Sequence, residues 1–390
     1  MRNAQNYQPR YDVVVVGARC AGASTAMLLA RAGAKVLMVD RQKYGSDVVS
    51  THALMRAGVI QLSRWGLLSK LMATGTPPVR RTAFHYGDEA VHIDVRPEHG
   101  VDFLCAPRRT ALDSVLVDGA REAGVEVRHG VTVTDLQFGL DSRVTGVHLK
   151  NADGEMETIR AGIVIGADGR QSMIARRVGA HTYTRGTDSS GYVYGYFENL
   201  VDDGFHWYFE KNVAAGVIPT NGKHHCVFVG VHCDQFAGTF RRDLEGGFLK
   251  TAAANSPELR ETLDTADLVG RLRGFSGGVG HIRQSHGPGW ALVGDAGYFK
   301  DPLTAHGMTD AFRDAELLSR AVLDGRSLAF AHYQEERDVI SKSFFEVTND
   351  IAAFSWTMDE IKDHHGRLSH AMKVEASHVA AFSPITNLAA

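Results

Sequence analysis

Cysteine is scarce in this sequence of 390 residues. Its four cysteines form no Cys-x-x-Cys pair, and they are Cys20, Cys105, Cys226 and Cys233. Four cysteines in so long a chain exclude the small, disulfide-dense folds of secreted proteins. We therefore expect a reducing, cytoplasmic environment.

Long apolar runs are also missing. The most apolar early stretch, residues 26–39, is broken by Arg31 and Lys35, and the first ten residues lack the apolar core of a signal peptide. No stretch reaches the roughly 20 apolar residues that a membrane-spanning helix needs. We expect no membrane span.

Nor is there an excess of charge of one sign. The chain has 42 Lys and Arg against 45 Asp and Glu, for a formal net charge of −3. This balance gives no reason to expect a nucleic-acid partner or an anionic membrane surface. Hydrophobic residues make up 44% and charged residues 22%, as is usual in globular proteins. A small-molecule substrate is the expected partner, and the oligomeric state stays open.

The first chemical motif lies in a βαβ unit at the start of the chain. Residues 11–16 predict a buried parallel strand, residues 23–32 a helix, and residues 35–39 a second strand that ends at Asp40. Between the first strand and the helix stand residues 17–22, Gly-Ala-Arg-Cys-Ala-Gly. Such a turn lets a pyrophosphate approach the backbone and a helix N-terminus, and Asp40 could accept a ribose hydroxyl. Arg19 occupies the place of the second glycine of GxGxxG, where it would add a cation; an ordinary tight turn is the alternative.

Two further motifs follow predicted buried strands. Asp168-Gly169 comes after residues 163–165, and its acid could hold a ligand or cap the next helix. Gly294-Asp295 comes after residues 291–293, and residues 301–308 then lead into a helix.

In this order the motifs resemble those of the FAD-dependent superfamily of group A aromatic monooxygenases, flavin halogenases and geranylgeranyl reductases. Asp168-Gly169, with Ser172 and Arg176, is similar to the family's DG motif, and Gly294-Asp295 is similar to its GD motif. Arg109 opens a segment similar to the family's R-x-x-L helix, whose arginine helps to hold FAD. The resemblance covers about residues 10–325. It implies bound FAD, NAD(P)H as the reductant, and a substrate cavity between the flavin and the sheet of a second domain.

The resemblance also implies a set of cofactor-binding residues: Gly17, Arg19, Ala21, Gly22, Asp40, Arg41, Arg109, Val133, Asp168, Gly169, Asp295, Pro302, Gly307 and Met308. Three more residues are candidates for the reacting centre. His306 would lie beside the flavin ring, through its side chain or only through its backbone. His52 would face the flavin or lie in a surface loop. Trp207 would line the substrate pocket or belong to an ordinary aromatic strand.

The expected fold is α/β. A Rossmann-type doubly wound sheet for FAD is interleaved with a substrate domain built on an antiparallel sheet, and helices follow at the C-terminus. The predicted segments are 1–75, 105–178 and 276–330 for the FAD domain, 76–104 and 179–275 for the substrate domain, and 331–390 for the helices.

Four functions compete. A monooxygenase using NAD(P)H and O₂ is preferred, because it is the commonest activity in this superfamily. A reductase of C=C bonds is the alternative: residues 301–304 are similar to the geranylgeranyl reductase loop, although Glu210 replaces the proline expected after residues 205–209. A halogenase is less favoured, because halogenases of this superfamily carry a lysine between the flavin and the substrate. Here Lys70 is the only lysine between Lys43 and Lys150, and it is predicted on a surface helix. A flavin-holding scaffold without catalysis is the last option.

A metal site is not expected. Residues 224–226 and 232–233 contain five His and Cys residues. However, they bracket a predicted strand, where alternation puts Cys226 and His232 on one face and His225 and Cys233 on the other. A tetrahedral zinc site needs four convergent ligands.

Overall fold

The computed structural model describes residues 11–48, 50 and 52–385, so the ends of the predicted segments 1–75 and 331–390 lie outside it. Its first sheet has eight strands and forms around the predicted βαβ unit. The members are β1 (Tyr11–Val16), β2 (Val36–Asp40), β7 (Glu126–His129), β8 (Thr132–Phe138), β9 (Val144–Lys150), β10 (Met156–Gly166), β18 (His286–Gly287) and β19 (Trp290–Leu292). Their order is β18-β19-β10-β1-β2-β7, with β9 pairing to β10 and β8 pairing to β9.

Parallel pairing brings the predicted motifs to one edge of this sheet. Val16 of β1 is in register with Val39 of β2 and with Gly166 of β10, and Gly166 is in register with Leu292 of β19. Each motif begins where one of these strands ends. The carboxyl edge of a parallel sheet is the usual place for a bound ligand.

Strand β10 is longer than the sequence pattern indicated. The pattern predicts a strand over residues 163–165, where the structure has one strand of 11 residues. Its first half pairs antiparallel with β9 and its second half pairs parallel with β1. A change of partner within one strand leaves no break in the hydrophobic pattern.

The second sheet has seven strands, and most of its pairs are antiparallel, as expected for the substrate domain. They are β4 (Arg81–Tyr86), β5 (Glu89–Asp94), β12 (Ser190–Glu198), β13 (Phe205–Glu210), β14 (Val213–Pro219), β15 (His225–His232) and β16 (Asp267–Phe275). The order is β16-β12-β15-β14-β13-β4-β5. One pair, β13 with β4, is parallel, because the chain reaches β4 from the first sheet rather than through a hairpin from β13.

Smaller strands and 3₁₀ turns connect the two sheets. The strands are β3 (Pro78–Val79), β6 (Leu104–Cys105), β11 (Thr182–Arg185), β17 (His281–Arg283) and β20 (Tyr298–Phe299). Strand β3 pairs with β6, and β17 lies between β11 and β20. The turns lie at Asn221–Lys223, Gly294–Ala296 and Pro302–Thr304.

Helices cover both sheets. Their bounds are α1 (Cys20–Arg31), α2 (Arg56–Arg64), α3 (Leu68–Ala73), α4 (Arg109–Glu122), α5 (Met173–Arg177), α6 (Cys233–Phe240), α7 (Leu244–Asn255), α8 (Pro257–Asp264), α9 (Gly307–Asp324), α10 (Ser327–Ala352) and α11 (Met358–Ala380). Helices α6 to α8 were not anticipated. They supply Phe240, Phe248 and Leu259 to a hydrophobic cluster on one face of the second sheet.

The C-terminal helices complete the fold. Helix α10 packs against α9 and α11, and α11 also packs against α2. Within the described part of the chain, no helix combines the length and apolarity needed to cross a membrane.

Candidate functional site

A cleft of about 570 Å³ runs along the carboxyl edge of the first sheet. All the predicted cofactor-binding residues except Gly22 line it. The cleft therefore brings together predicted residues that are up to 291 positions apart in the sequence, from Gly17 to Met308.

The turn after β1 depends on two glycines. Gly17 has φ of +113°, and a Cβ there would lie 2.3 Å from the carbonyl oxygen of Ala167. A Cβ on Gly22 would lie 1.9 Å from the carbonyl oxygen of Gly17. Glycine is thus required at position 22 so that helix α1 can approach the turn after β1 closely, although Gly22 does not line the cleft.

Helix α1 begins at Cys20, three residues before the predicted start. The N-cap residue, Arg19, makes no side-chain capping bond, so the amides of the first helical turn are left for a ligand. A pyrophosphate suits such a helix end. The Arg19 guanidinium also lines the cleft, and burial, followed by the nearby Arg109, lowers its pKa.

Asp40 joins the end of β2 to this turn. One carboxylate oxygen accepts from the amide of Ala18 at 2.7 Å, and the other accepts from the amide of Gln42 at 2.7 Å. Each oxygen has a second lone pair, and Asp40 lines the cleft. The residue can therefore accept a ribose hydroxyl without releasing the turn.

The two carboxylate oxygens of Asp168 have different surroundings. Oδ2 accepts from the amides of Met173 and Ile174, at 2.6 and 3.2 Å, while Ser172 caps the same helix through Ala175. Oδ1 is buried and has no partner. An unsatisfied buried carboxylate oxygen costs free energy, and a hydroxyl of a bound cofactor would relieve that cost. The residues present therefore fit a dinucleotide.

Asp295 and Lys300 are charged residues that line the cleft and come from the segment before α9. Burial raises the pKa of Asp295 to about 6, although Lys300 and Arg109 act against it. Lys300 makes a buried ion pair with Asp310, and burial lowers its pKa to about 7. Lys300 lines the cleft but was not among the predicted site residues. Its position between the motifs at 294–295 and 301–308 could have indicated it.

The loop before α9 is fixed to the second sheet by Asp301. Its carboxylate accepts from the amide and hydroxyl of Ser190, from the Tyr192 hydroxyl at 3.2 Å and from the Leu303 amide at 2.9 Å. Pro302, Gly307 and Met308 then line the cleft. The N-terminus of α9 therefore meets any ligand at this end with its positive dipole.

Arg109 is held in place by its own helix. Its guanidinium donates to both carboxylate oxygens of Asp113, at 2.9 Å each, and the Cys20 thiol donates to the same carboxylate. The side chain of Arg109 is thus oriented before a cofactor binds.

Arg41 and Val133, the other two predicted residues, also line the cleft.

The structure turns His306 away from the cleft lining. Its Nε2 hydrogen-bonds the Glu375 carboxylate at 2.6 Å, and its ring stacks on Phe344 with centroids 4.4 Å apart. Burial lowers its pKa. His306 is not among the residues that line the cleft, although its neighbours Ala305 and Gly307 are.

His52 is fully buried, so the surface-loop interpretation is wrong. It has φ of +65°, and its Nε2 is hydrogen-bonded to the Tyr196 hydroxyl. Burial, with Arg109 and Arg108, lowers its pKa to about 3. The ring is neutral at pH 7 and lies behind the cleft wall rather than in it.

Trp207 also lies behind the wall. It is buried in β13 and belongs to one hydrophobic cluster with Leu303 and Ala305 of the loop. Ala305 and Ala53, of the same cluster, line the cleft. The aromatic segment is therefore a packed strand that backs onto the cofactor cleft.

Two groups of potential metal ligands occur among the described residues. His232, Cys233 and Asp234 form the first, which includes none of residues 224–226. His306, Asp310 and Glu375 form the second, but Lys300 and Arg313 already pair with its carboxylates. Neither group offers the four ligands of a structural zinc site.

Comparison with known proteins places this chain among flavoproteins. A sequence profile described as "FAD binding domain" matches residues 10–346. Conditioned medium factor receptor 1 of Dictyostelium discoideum is 26% identical over 340 residues, which are 80% of this chain but only 63% of that protein. Digeranylgeranylglycerophospholipid reductase of Methanosarcina acetivorans is 26% identical over 361 residues, or 87% of this chain and 81% of that protein.

Solved structures share the fold at lower identity. A flavin-dependent brominase has a TM-score of 0.81 and 17% identity, covering 96% of this chain and 97% of that one. A probable FAD-dependent monooxygenase from Pseudomonas aeruginosa has a TM-score of 0.76 and 20% identity, covering 93% of this chain and 99% of that one. Both likenesses concern the fold.

Proposed function

Because the chain belongs to the FAD binding domain family, we propose that it is a cytoplasmic FAD-dependent monooxygenase that uses NAD(P)H and O₂ to hydroxylate a small organic substrate. The observation that carries this proposal is the part of the cleft formed by the loop before α9. There Lys300, Pro302 and Ala305 line the cleft, and Ala305 also belongs to a hydrophobic cluster of the second sheet.

The rest of the cleft would hold the dinucleotide. The turn at residues 17–22 would take the pyrophosphate, Asp40 a ribose hydroxyl, and Asp168 and Asp295 further hydroxyls. Arg19 would place a cation beside the phosphates. These residues bind and orient, and none of them needs to react.

When bound, FAD would supply the redox chemistry that carries two electrons from NAD(P)H to O₂, of which one oxygen atom goes to the substrate and the other leaves as water. Lys300 and the N-terminus of α9 would stabilise negative charge in the part of the cleft formed by the loop before α9. The cluster that contains Trp207 and Ala305 would keep water out, which protects a reactive oxygen species from loss. Exclusion of water favours oxygen transfer over release of hydrogen peroxide.

Reduction of a C=C bond is the second candidate. Residues 301–304 form the 3₁₀ turn and its cap at the cleft, and one relative is a digeranylgeranylglycerophospholipid reductase. Halogenation is not proposed, since Lys70 is exposed on α3 and paired with Glu122. A scaffold without catalysis would hold FAD but consume no NAD(P)H.

Labelled oxygen distinguishes the two candidates. The FAD-loaded protein is screened for a compound that stimulates NAD(P)H oxidation, and the reaction is then run under ¹⁸O₂ and, in parallel, without oxygen using pre-reduced protein. We expect ¹⁸O in the product and no turnover without oxygen. Labelled water with ordinary oxygen is the control.

A product formed without oxygen and two hydrogens heavier than the substrate would replace the monooxygenase proposal with the reductase. FAD-loaded protein that consumes neither NADH nor NADPH with any compound would support the scaffold.

A further inference from the structure

A second cavity, of about 290 Å³, lies apart from the cofactor cleft. Its walls come from the end of α1, the end of α2, the middle of α9 and the segment after α11. We call it the C-terminal cavity. A ligand there would not occupy the cofactor site, since the two cavities share no lining residue. The C-terminal cavity is lined by Leu28, Arg31, Arg64, Trp65, Glu316, Pro384 and Ile385.

The segment after α11 is held against the helices by two arginines. Arg64 donates through Nη2 to the carbonyl oxygen of Phe382 at 2.6 Å, and Arg320 donates to the carbonyl oxygen of Ser383. The two residues that follow Ser383 line the cavity. This wall of the cavity is therefore fixed to both α2 and α9.

The carboxylate of Glu316 cannot serve every cation around the cavity. It is buried and accepts from Gln61, Arg64, Trp65 and Arg320, which uses the roughly four lone-pair sites of a carboxylate. The third guanidinium, that of Arg31, donates to the carbonyl oxygen of Trp65 at 2.9 Å and forms no ion pair among the residues that the structure describes. A guanidinium has five N–H donors, so donors of Arg31 and Arg64 are left for a ligand.

The charges around the cavity match a monoanion. Three guanidinium groups against one carboxylate leave an excess of two positive charges. Helix α1 ends at Arg31 and α2 ends at Arg64, and each helix C-terminus contributes roughly half a negative charge. Glu122 also acts on Arg31, but its charge is balanced by Lys70. About one positive charge therefore remains without a counter-charge.

The rest of the wall is apolar. Leu28, Trp65 and Ile385 are buried members of one hydrophobic cluster, and Pro384 lies beside them in the lining. A water molecule occupies about 30 Å³ in the liquid, so the cavity has the volume of about ten waters and suits a ligand of about ten non-hydrogen atoms. Apolar walls and an excess positive charge together favour a small anion with an apolar chain.

We propose that the C-terminal cavity binds a small apolar monocarboxylate, of the class of medium-chain fatty acids, at a site separate from the reaction. The carboxylate would lie between Arg31 and Arg64. The chain would pack against Leu28, Trp65 and Ile385. This inference goes beyond the proposed function and does not rest on it, because it concerns a different cavity.

Octanoate and octanamide provide the test, because they share one chain and have the same number of non-hydrogen atoms but differ in charge. Each is titrated into the FAD-loaded protein, and binding is measured by isothermal titration calorimetry. We expect a saturable site for octanoate and roughly 10- to 100-fold weaker binding of octanamide, the effect of hydrogen bonds to a charged group.

Matched variants test the residues. Arg31→Gln removes one of the two cations and should weaken octanoate binding about tenfold, with octanamide binding unchanged. Arg326→Gln, at an exposed arginine outside the cavity, should bind octanoate as the parent does. Leu28→Trp fills the cavity and should abolish binding of both compounds. If Leu28→Trp does not fold, Arg31→Gln still decides, since Arg31 is exposed.

Three results would each overturn the inference: no saturable octanoate binding, equal affinities for octanoate and octanamide, or octanoate binding that Arg31→Gln does not weaken. Octanoate that competes with FAD in titrations of the apoprotein would lie in the cofactor cleft and would overturn it as well. Protein that takes up no FAD would contradict the proposed function, while the octanoate titration would still decide this inference.

Discussion

Asp168 stabilises α5 with one carboxylate oxygen and leaves the other buried without a partner. Asp295 is buried enough for its pKa to reach about 6. Both arrangements lower the stability of the folded chain when no ligand is bound, because a buried unsatisfied acceptor and a desolvated acid each cost free energy. Local costs of this kind are expected where residues serve a ligand.

Two neighbouring positions should respond differently to removal of the side chain. Asp295→Ala should weaken FAD binding roughly 10- to 100-fold, because a hydrogen bond to a charged group is lost. His306→Ala should weaken it less, since that side chain faces Glu375. Titration of each apoprotein with FAD measures both affinities. Equal losses would mean that the motif at 294–295 does not contact the cofactor.

The raised pKa of Asp295 also predicts a pH dependence. An acid whose pKa is higher in the folded state than its ordinary 3.8 lowers stability as pH rises from about 4 to 6, and the loss persists above that. FAD-free Asp295→Asn should therefore be more stable than the FAD-free parent at pH 7. The difference should shrink towards pH 4. Urea unfolding at both pH values measures it, and a difference that grows at low pH would contradict the assignment.

At the level of elements, α9 and α11 are joined by a buried charge cluster. It comprises Lys300, His306, Asp310, Arg313 and Glu375. Glu375 of α11 accepts from Arg313 of α9 at 2.8 Å and also pairs with His306. The last long helix thus supports the loop that lines the cleft.

Glu375→Ala should destabilise the protein by about 3 kcal/mol, because it breaks a buried ion pair with Arg313 and leaves the buried Nε2 of His306 without its partner. Thermal unfolding of the FAD-loaded protein measures the change. Glu335→Ala, an exposed residue of α10, is the matched control and should have little effect. If both variants unfold at the parent temperature, the cluster does not hold α11.

The sequence predicted elements best where one segment carries the whole signal. The unit β1-α1-β2 follows from hydrophobic runs, a glycine turn and a terminal acid within residues 11–40. Strand β10 was predicted only in part, because a change of pairing partner has no hydrophobic signature. Helices α6 to α8 were missed: they are short, with 8, 12 and 8 residues, so each gives little periodicity.

For the site, residues next to strand ends could be predicted, since the carboxyl edge of a parallel sheet collects them. Lys300 and the contact of Arg108 and Arg273 with the Asp47 carboxylate could not. Asp47 and Arg273 are 226 positions apart, and only the packing of the second sheet against the loop after β2 brings them together. No local pattern encodes such a contact.

For the whole molecule, the cleft predicts which flavin is retained. It extends from the pyrophosphate turn and Asp40 to the head of α9, and only a dinucleotide needs both ends. We expect the protein to purify yellow and to release FAD on heating, as chromatography against FAD and FMN standards would show. FMN alone, or colourless protein that takes up no FAD, would contradict the assignment.

The strand order of the first sheet constrains how this protein is synthesised. Strand β1 emerges from the ribosome early, but its neighbour β10 follows at residues 156–166 and β19 only at residues 290–292. At ordinary translation rates of 5–20 residues per second, about 15 to 60 seconds separate the first wall of the cleft from the last. Through that interval the nascent chain exposes unpaired strand edges, which are prone to aggregation. Flavin capture must therefore wait until the last of these segments has been made, and its supply cannot assist the earlier steps of folding.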